Sequence, residues 1–342
     1  MLSNRAIPLA FFAVLAACSV DVNVESLEQH FSTCPSWACG VNGPSLNNRP
    51  FHELSESGAE NKEGFRLGAL TKNGQTYRIR VTGHTLTAYN RSNTLAGTQL
   101  VGSTFTVVDR RGHVVEVYIT GVTSLQLWGG PQAGLPIESY RFHWSDPSTG
   151  VRLQNLCSNP SPLKAYSSEL LGLRGDFTVV FEGNRYDAER KTVLPGSTDW
   201  FNIGCAGHAL SKLLLTGHAN DTGTATTDEQ QATLKMITAD YCGTGLSFTA
   251  GGEPLYWKTS NAYMDYFGTA VTLEARWNAQ GAICLGQPRL QVTTNPNAAN
   301  LPDLELSLNN KDLCPSRPPP CEILDVDKDD GELVRSANPI NE

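Results

Sequence analysis

Cys205-Ala206-Gly207-His208-Ala209-Leu210-Ser211-Lys212-Leu213-Leu214-Leu215 is the stretch on which the fold class turns. Ala209, Leu210, Leu213 and Leu214 share one stripe of a 3.6-residue period, so the spacing predicts a helix over 205–215, with Gly217 as its stop. A second helix is predicted after the polar loop 218–225. Thr227 or Asp228 caps it, and it runs to about Tyr241 with Ala232, Met236, Ile237 and Ala239 turned inward. The flanking chain reads as strands. Tyr77-Arg78-Ile79-Arg80-Val81 and Val115-Glu116-Val117-Tyr118-Ile119 alternate apolar with polar residues, and Ser139-Tyr140-Arg141-Phe142 resembles them. Thr178-Val179-Val180-Phe181 and Thr192-Val193-Leu194 read as strands around a Gly-Asn turn at 183–184, and strands return at 254–258, 270–277 and 282–291. The expectation is an α+β protein. A β-rich part over 60–156 precedes a disulfide-tied domain over 157–294, in which a helix pair packs on an antiparallel sheet. From Asn295 onward Pro, Asn and acidic residues take over, and 295–342 reads as a partly disordered tail.

Within the β-rich part, Leu95, Leu100 and Phe105 recur every five residues, with Gly97 and Gly102 two places after the first two. A five-residue period could build the sides of a square β-helix. Two or three copies are too few for a stable solenoid, so a strand and turn inside an ordinary sheet is the expected form.

The N-terminus carries an apolar run, Ala6 to Leu15, preceded by Arg5 and closed by Leu15-Ala16-Ala17-Cys18. The run is too short to span a bilayer, and its end is that of a bacterial lipoprotein signal. Residues 1–17 are then cleaved and Cys18 becomes a lipidated N-terminus, with 18–59 as a tether carrying a small cysteine loop. Ser19 in place of Asp points to the outer membrane, and two or three acyl chains would hold the protein there firmly. Removing Arg5 leaves 25 of the 26 basic residues against 34 acidic ones. The seven histidines are scattered, and no dense Lys/Arg cluster offers the basic patch that nucleic acid requires. The membrane, through the lipid, is the one partner expected; a protein, glycan or peptide ligand is left open.

Nine cysteines less Cys18 leave eight, the even number that disulfides need in an oxidising compartment. They are Cys34, Cys39, Cys157, Cys205, Cys242, Cys284, Cys314 and Cys321. Proximity in sequence predicts local bridges Cys34–Cys39 and Cys314–Cys321. An antiparallel hairpin of the two helices would set Cys205 and Cys242 at one end and bridge them, with Cys157 then joined to Cys284. Pairing of Cys157 with Cys205 or with Cys242 stays open.

Several constellations invite chemistry. Cys205 and His208, three apart on a helix, with Asp240 elsewhere, have the makings of a nucleophilic thiol. A catalytic thiol would have to stay reduced outside the cytoplasm and would leave a cysteine unpaired, so a disulfide is the expected state. Cys205, His208, Cys242 and His218 could ligate zinc, but oxidation competes for both sulfurs. Ser211 lacks the Gly-x-Ser-x-Gly elbow of a hydrolase. Asp325, Asp327 and Asp329 ahead of Gly331 and Glu332 resemble a calcium loop, yet Asp330 and Ser336 stand where that loop wants Gly and Glu. Trp200, Trp257, Trp277, Tyr256, Tyr263 and Tyr266 could line a groove, though aromatics at this density are mostly core. No catalytic residue, metal or cofactor is assigned.

The stretch Ile237-Thr238-Ala239-Asp240-Tyr241-Cys242-Gly243-Thr244-Gly245 resembles the ADYC domain, a family of exported bacterial proteins associated chiefly with myxobacteria and named for the tetrapeptide Ala239-Asp240-Tyr241-Cys242. Further blocks lie in the expected order. Leu156-Cys157 fits the upstream Leu-Cys, and Phe201 to Lys212 resembles the family's cysteine-led helix. Glu274-Ala275-Arg276-Trp277 and Gly281-Ala282-Ile283-Cys284-Leu285 resemble its closing strand pair, and the Leu-x-Gly pentads near 95–105 resemble repeats that often precede the domain. Leu213 and Thr233 stand where relatives commonly carry two further cysteines, which implies that those two bond to each other there and that the four central cysteines here form two pairs. The resemblance implies no activity. The expectation is a cell-envelope lipoprotein acting as a non-enzymatic binding or structural module; the other class kept open is an extracellular hydrolase.

Overall fold

A computed structural model describes residues 44–127, 129–157, 177–187, 189–196, 198–205, 208–219, 225–249, 255–259, 271–289, 308–322 and 331–339. The described residues open with β1 (Ser45–Leu46), β2 (Arg49–Pro50) and β3 (Glu53–Ser55). An antiparallel succession follows: β4 (Phe65–Lys72), β5 (Gln75–Thr82), β6 (Thr85–Tyr89), β7 (Thr94–Ala96), β8 (Thr104–Asp109), β9 (Val114–Gln126), β10 (Pro136–Asp146) and β11 (Val151–Asn155). Next come β12 (Thr178–Glu182), β13 (Arg185–Asp187), β14 (Thr192–Leu194) and β15 (Trp200–Cys205), then helices α1 (Ala209–Leu215) and α2 (Thr227–Thr238). The last elements are β16 (Tyr256–Thr259), β17 (Val271–Asn278), β18 (Gly281–Leu285) and β19 (Val334–Pro339).

Alternation builds the main sheet. In β5, Tyr77, Ile79 and Val81 are buried while Arg78, Arg80 and Thr82 are exposed, the period-2 pattern of a strand with one wet face. Eleven strands join in the order β3-β15-β12-β10-β9-β8-β4-β5-β6-β7, with β11 beside β10. The sheet curls on itself. Glu182 N donates to Gly83 O and Leu86 N to the Tyr140 hydroxyl, each at 2.8 Å, so the β5–β6 hairpin lies against β12 and β10. Leu95, Leu100 and Phe105 are buried in this sheet, from β7, the short 3₁₀ turn Gly97–Leu100 and β8, and the pentads form no solenoid.

A bulge aims β9 at two interiors. Ile119 pairs with Phe142 and Gly121 with Arg141, so Thr120 is an extra residue in the ladder. One extra residue exchanges the two faces of a strand. Before it, Val115, Val117 and Ile119 face the core enclosed by the curled sheet; after it, Leu125 and Leu127 face a second core containing both helices. β12 divides the two cores in the same way, with Val180 in the first and Val179 and Phe181 in the second.

The expected helix pair on one antiparallel sheet is not what forms, and the protein is mostly β. α1 packs on β15 of the eleven-stranded sheet, whereas α2 packs on β17 of a separate four-stranded sheet of order β16-β19-β17-β18. Cys205 ends a strand rather than opening a helix, because β15 pairs with β12 in unbroken register from Glu182↔Phe201 to Thr178↔Cys205. The apolar stripe that suggested the helix starts only at Ala209. Thr226, one residue before the expected cap, begins α2: its Oγ1 accepts from Glu229 N at 3.2 Å, and Glu229 accepts from Thr226 N at 2.7 Å. The strands at 178–182 and 192–194 do not pair around Gly183-Asn184; β12 pairs with β15, and β14 with β13. The 295–342 segment contributes a strand, since β19 lies between β16 and β17 with Val334, Ser336, Ala337 and Asn338 buried. The eleven-stranded sheet also runs across 156–157, taking β12 and β15 from beyond that point.

Candidate functional site

The tetrapeptide Ala239-Asp240-Tyr241-Cys242 follows α2 and sits between the helices and the four-stranded sheet. Ala239 caps the helix in the left-handed conformation at φ 50°, its N–H closing on the carbonyls of Lys235 and Met236. Asp240, fully buried, accepts on Oδ2 from Lys235 Nζ at 2.5 Å and from Gly245 N at 2.8 Å. Lys235 Nζ also donates to Arg190 O at 3.1 Å and Gly243 O at 3.2 Å, so this buried ammonium is held by a carboxylate and two carbonyls. Burial pushes the neighbouring Lys191 down to about 8, the Asp240 carboxylate opposing that shift.

Tyr241 stacks between Trp277 and Phe248, with ring centroids 5.3 and 5.8 Å away. Its hydroxyl donates to Glu274 Oε1 at 2.6 Å. Glu274 in turn accepts from Arg289 Nε and Nη2 at 2.6 and 2.9 Å, and Arg289 donates back to Met236 O at 2.8 Å. Burial, and then the Glu274 carboxylate, hold the Tyr241 phenol well above its ordinary range. Gly243, at φ 71°, is required as glycine: a Cβ there would stand 1.9 Å from Gln280 O, where the segment presses its backbone on the β17–β18 turn.

Cys242 bonds to Cys314, Cys157 to Cys205, and Cys284 to Cys321. These pairings overturn the expected Cys205–Cys242, Cys157–Cys284 and Cys314–Cys321 bridges. The reason is the misplaced helix start. Cys205, at the end of β15, lies opposite Thr178 near Cys157, whose Sγ is 3.2 Å from Thr178 Oγ1, and is not at the far end of a helix hairpin. Cys18, Cys34 and Cys39 lie outside the described residues. These three disulfides among the described residues mark a protein that matures in an oxidising, extracytoplasmic compartment. Among the described residues no helix is long and apolar enough to cross a membrane.

With Cys205 and Cys242 oxidised, neither a thiolate nucleophile nor the Cys205–His208–Cys242–His218 zinc set can form. Ser211 Oγ donates to Cys205 O and His208 O, which makes it a helix-entry clasp. His218 is buried with Nδ1 2.9 Å from Thr216 Oγ1, and burial pushes it down to about 4. Glu332 is engaged by Arg276 and Arg335, while Asp325, Asp327 and Asp329 fall outside the described residues. Trp257 and Trp277 are core, and Trp200 lies under the Arg185 guanidinium at 3.6 Å. Tyr263 and Tyr266 are not among the described residues. Leu213 and Thr233 are both fully buried.

One cluster lies outside every expectation. A ring nitrogen of His52 and a carboxylate oxygen each of Glu53 and Glu63 lie within 4.8 Å of one another. His52 and Glu53 are buried at the edge strand β3, and Arg185 of β13 grips Glu53 through both carboxylate oxygens. Glu63 arrives from the loop between β3 and β4. Asn61 pins that loop, donating to Glu53 O and accepting from Phe65 N, both at 2.8 Å. Sequence reading had little to find here: His52 and Glu53 are adjacent, so a regular strand would turn them to opposite faces, and Glu63 follows an irregular loop.

The fold and these sites define a disulfide-tied, mostly antiparallel β protein whose helical layer is anchored by one buried polar segment. The family model of the ADYC domain matches residues 97–291, more than half of the chain, and the chain belongs to that family. No curated protein and no solved structure matches it.

Proposed function

We propose that this chain is a non-enzymatic protein of the bacterial cell envelope, anchored through lipid on Cys18 and serving as a binding or structural module. The observation that carries this reading is the state of the motif itself. Asp240 is held by Lys235, Tyr241 by Glu274 and Cys242 by Cys314, so the groups that could have done chemistry are committed to holding the fold. The lipobox and Ser19 favour the outer membrane, and the acidic balance of the chain gives no reason to expect nucleic acid. The partner that recognises the exposed surface is a protein, peptide or glycan.

Membrane fractionation of the full chain against Cys18→Ser tests the anchor. The wild type is expected in the membrane fraction, carrying acyl mass on an N-terminal Cys18, with the variant released. Wild-type protein lacking both the acyl mass and that terminus overturns it.

A further inference from the structure

We infer that His52, Glu53 and Glu63 form a binding site for a divalent first-row metal ion such as zinc or manganese. The tautomer of His52 makes the argument. Its Nε2 lies 2.7 Å from Tyr186 O, and a carbonyl can only accept, so Nε2 carries the proton. Nδ1 is then a bare lone pair on a ring that is 1 % exposed, and among the described residues it has no hydrogen-bond partner. Glu63 Oε2 is likewise buried and without a partner among the described residues. Acceptors from three residues thus converge, and the side-chain donor that the described residues bring to their carboxylates is Arg185, whose Nε and Nη2 are both directed at Glu53.

A buried acceptor left unpaired is destabilising, and a metal ion satisfies all three side chains at once. The surroundings are those of a metal site. Donation of the second imidazole nitrogen to a backbone carbonyl fixes the tautomer and ring orientation of a ligating histidine. Arg185 fixes the Glu53 carboxylate, whose remaining lone pairs stay available, and Asn61 fixes the loop bearing Glu63. One nitrogen and two carboxylate oxygens suit zinc or manganese better than calcium, which wants six to eight oxygens. Two carboxylates against the Arg185 guanidinium leave a net negative charge to receive the cation, because Arg49, which also donates to Glu63 O, is paired with Asp109. Glu63 is only partly buried, so water or a partner's donor group can reach the site beside it as a further ligand.

The test uses the untagged full chain, stripped with chelator and titrated with zinc chloride and with manganese chloride, by calorimetry and elemental analysis. One equivalent of at least one metal is expected to bind, with a rise in Tm. Glu63→Gln should weaken binding by at least about 100-fold, because it removes a ligand where even outer-shell changes cost about 10–100-fold. The metal-free variant should be no less stable than the wild type, since the new amide can donate to the bare Nδ1. If Glu63→Gln does not fold, the wild-type imidazole ¹⁵N spectrum decides: the His52 Nδ1 resonance must move on metal addition. Absence of binding by the wild type, unchanged binding by the variant, an unmoved Nδ1 resonance, or a Tm that responds to pH but not to metal overturns the proposal; the last would mean that the cluster holds a proton.

Discussion

The two sides of β12 look onto different kinds of interior. The core inside the curled sheet is carbon: Phe51, Phe65, Phe105, Val107, Val117, Tyr140 and Phe142 interlock there, with edge-on ring pairs at 5.5 and 5.7 Å. An ion pair beside it, Arg49–Asp109, stands at the margin with the arginine partly exposed. The core around α1 and α2 has charge inside it, Lys235 with Asp240 and Arg289 with Glu274, all four side chains nearly or fully buried, and two disulfides beside it. Long alternating strands remove apolar surface in quantity and need few cross-links. Short strands and a helix of seven residues bury less per element and rely on covalent bridges and buried ionic networks. Such networks are fragile in a way that apolar cores are not, because losing one partner strands the other in a low dielectric.

The sharpest way to break this comparison is Glu274→Ala, which strands Arg289 and the Tyr241 hydroxyl together. Loss of one member of a buried pair costs roughly 3–5 kcal/mol. Urea denaturation should show that loss, and hydrogen exchange should show α2 and β17 amides opening while β9 and β10 stay protected. Equal deprotection on both sides of β12 would mean that the two cores unfold as one unit.

Replacing Cys242 and Cys314 together by Ser opens a loop of sequence separation 72, for which the loss should be about 2–4 kcal/mol. Denaturation midpoints of the oxidised double variant read it, with protection falling again on the helical side first. A change below about 0.5 kcal/mol would leave the bridge without the supporting role argued for it.

The pH dependence separates the cores next. His218 is pushed down to about 4 by burial, with Glu229 opposing, while in the unfolded chain it titrates near the ordinary histidine value of about 6.5. The unfolded state binds the proton first, so stability is full above about 6.5, falls as pH drops towards 4, and has no further His218 contribution below that. The loss across that window should be about 3 kcal/mol, measured as ΔG against pH. His218→Gln should flatten this part of the curve, and an unchanged slope would remove His218 from the account. The smallest effect is expected on the apolar side, where Ile119→Val deletes one buried methylene for about 0.5–1.5 kcal/mol with little change in pH dependence.

The pattern of legibility follows the same division. β5, β9 and β10 were readable because residues such as Ile79, Val117 and Phe142 alternate with polar neighbours, and that signal is local. α2 was readable through its cap, missed by one residue because Thr226, Thr227 and Asp228 are all competent caps and only the reach to Glu229 decides. β19 was hidden, since Val334-Arg335-Ser336-Ala337-Asn338-Pro339 has weak alternation and follows an acidic run; pairing with β16 and β17 makes the strand. Cysteine pairing and the His52–Glu53–Glu63 cluster are products of tertiary placement, which spacing in one chain does not encode. The tetrapeptide was visible as a pattern, but Asp240 reaching Lys235 and Tyr241 reaching Glu274 needed the fold.

The order of the bridges along the chain has a consequence in time. Of the six cysteines bridged in the described residues, a polypeptide entering an oxidising space from its N-terminal side presents Cys157 and Cys205 before the other four, and pairing in order of arrival is correct for these two. The next two thiols to arrive are Cys242 and Cys284, which must refuse each other and wait for Cys314 and Cys321, because their native loops overlap. Oxidation faster than folding therefore traps a Cys242–Cys284 bridge that only thiolate exchange can undo, on a scale of seconds to hours that depends on oxidant and isomerase. The yield of the native protein on oxidation should therefore track the supply of isomerase more closely than the supply of oxidant.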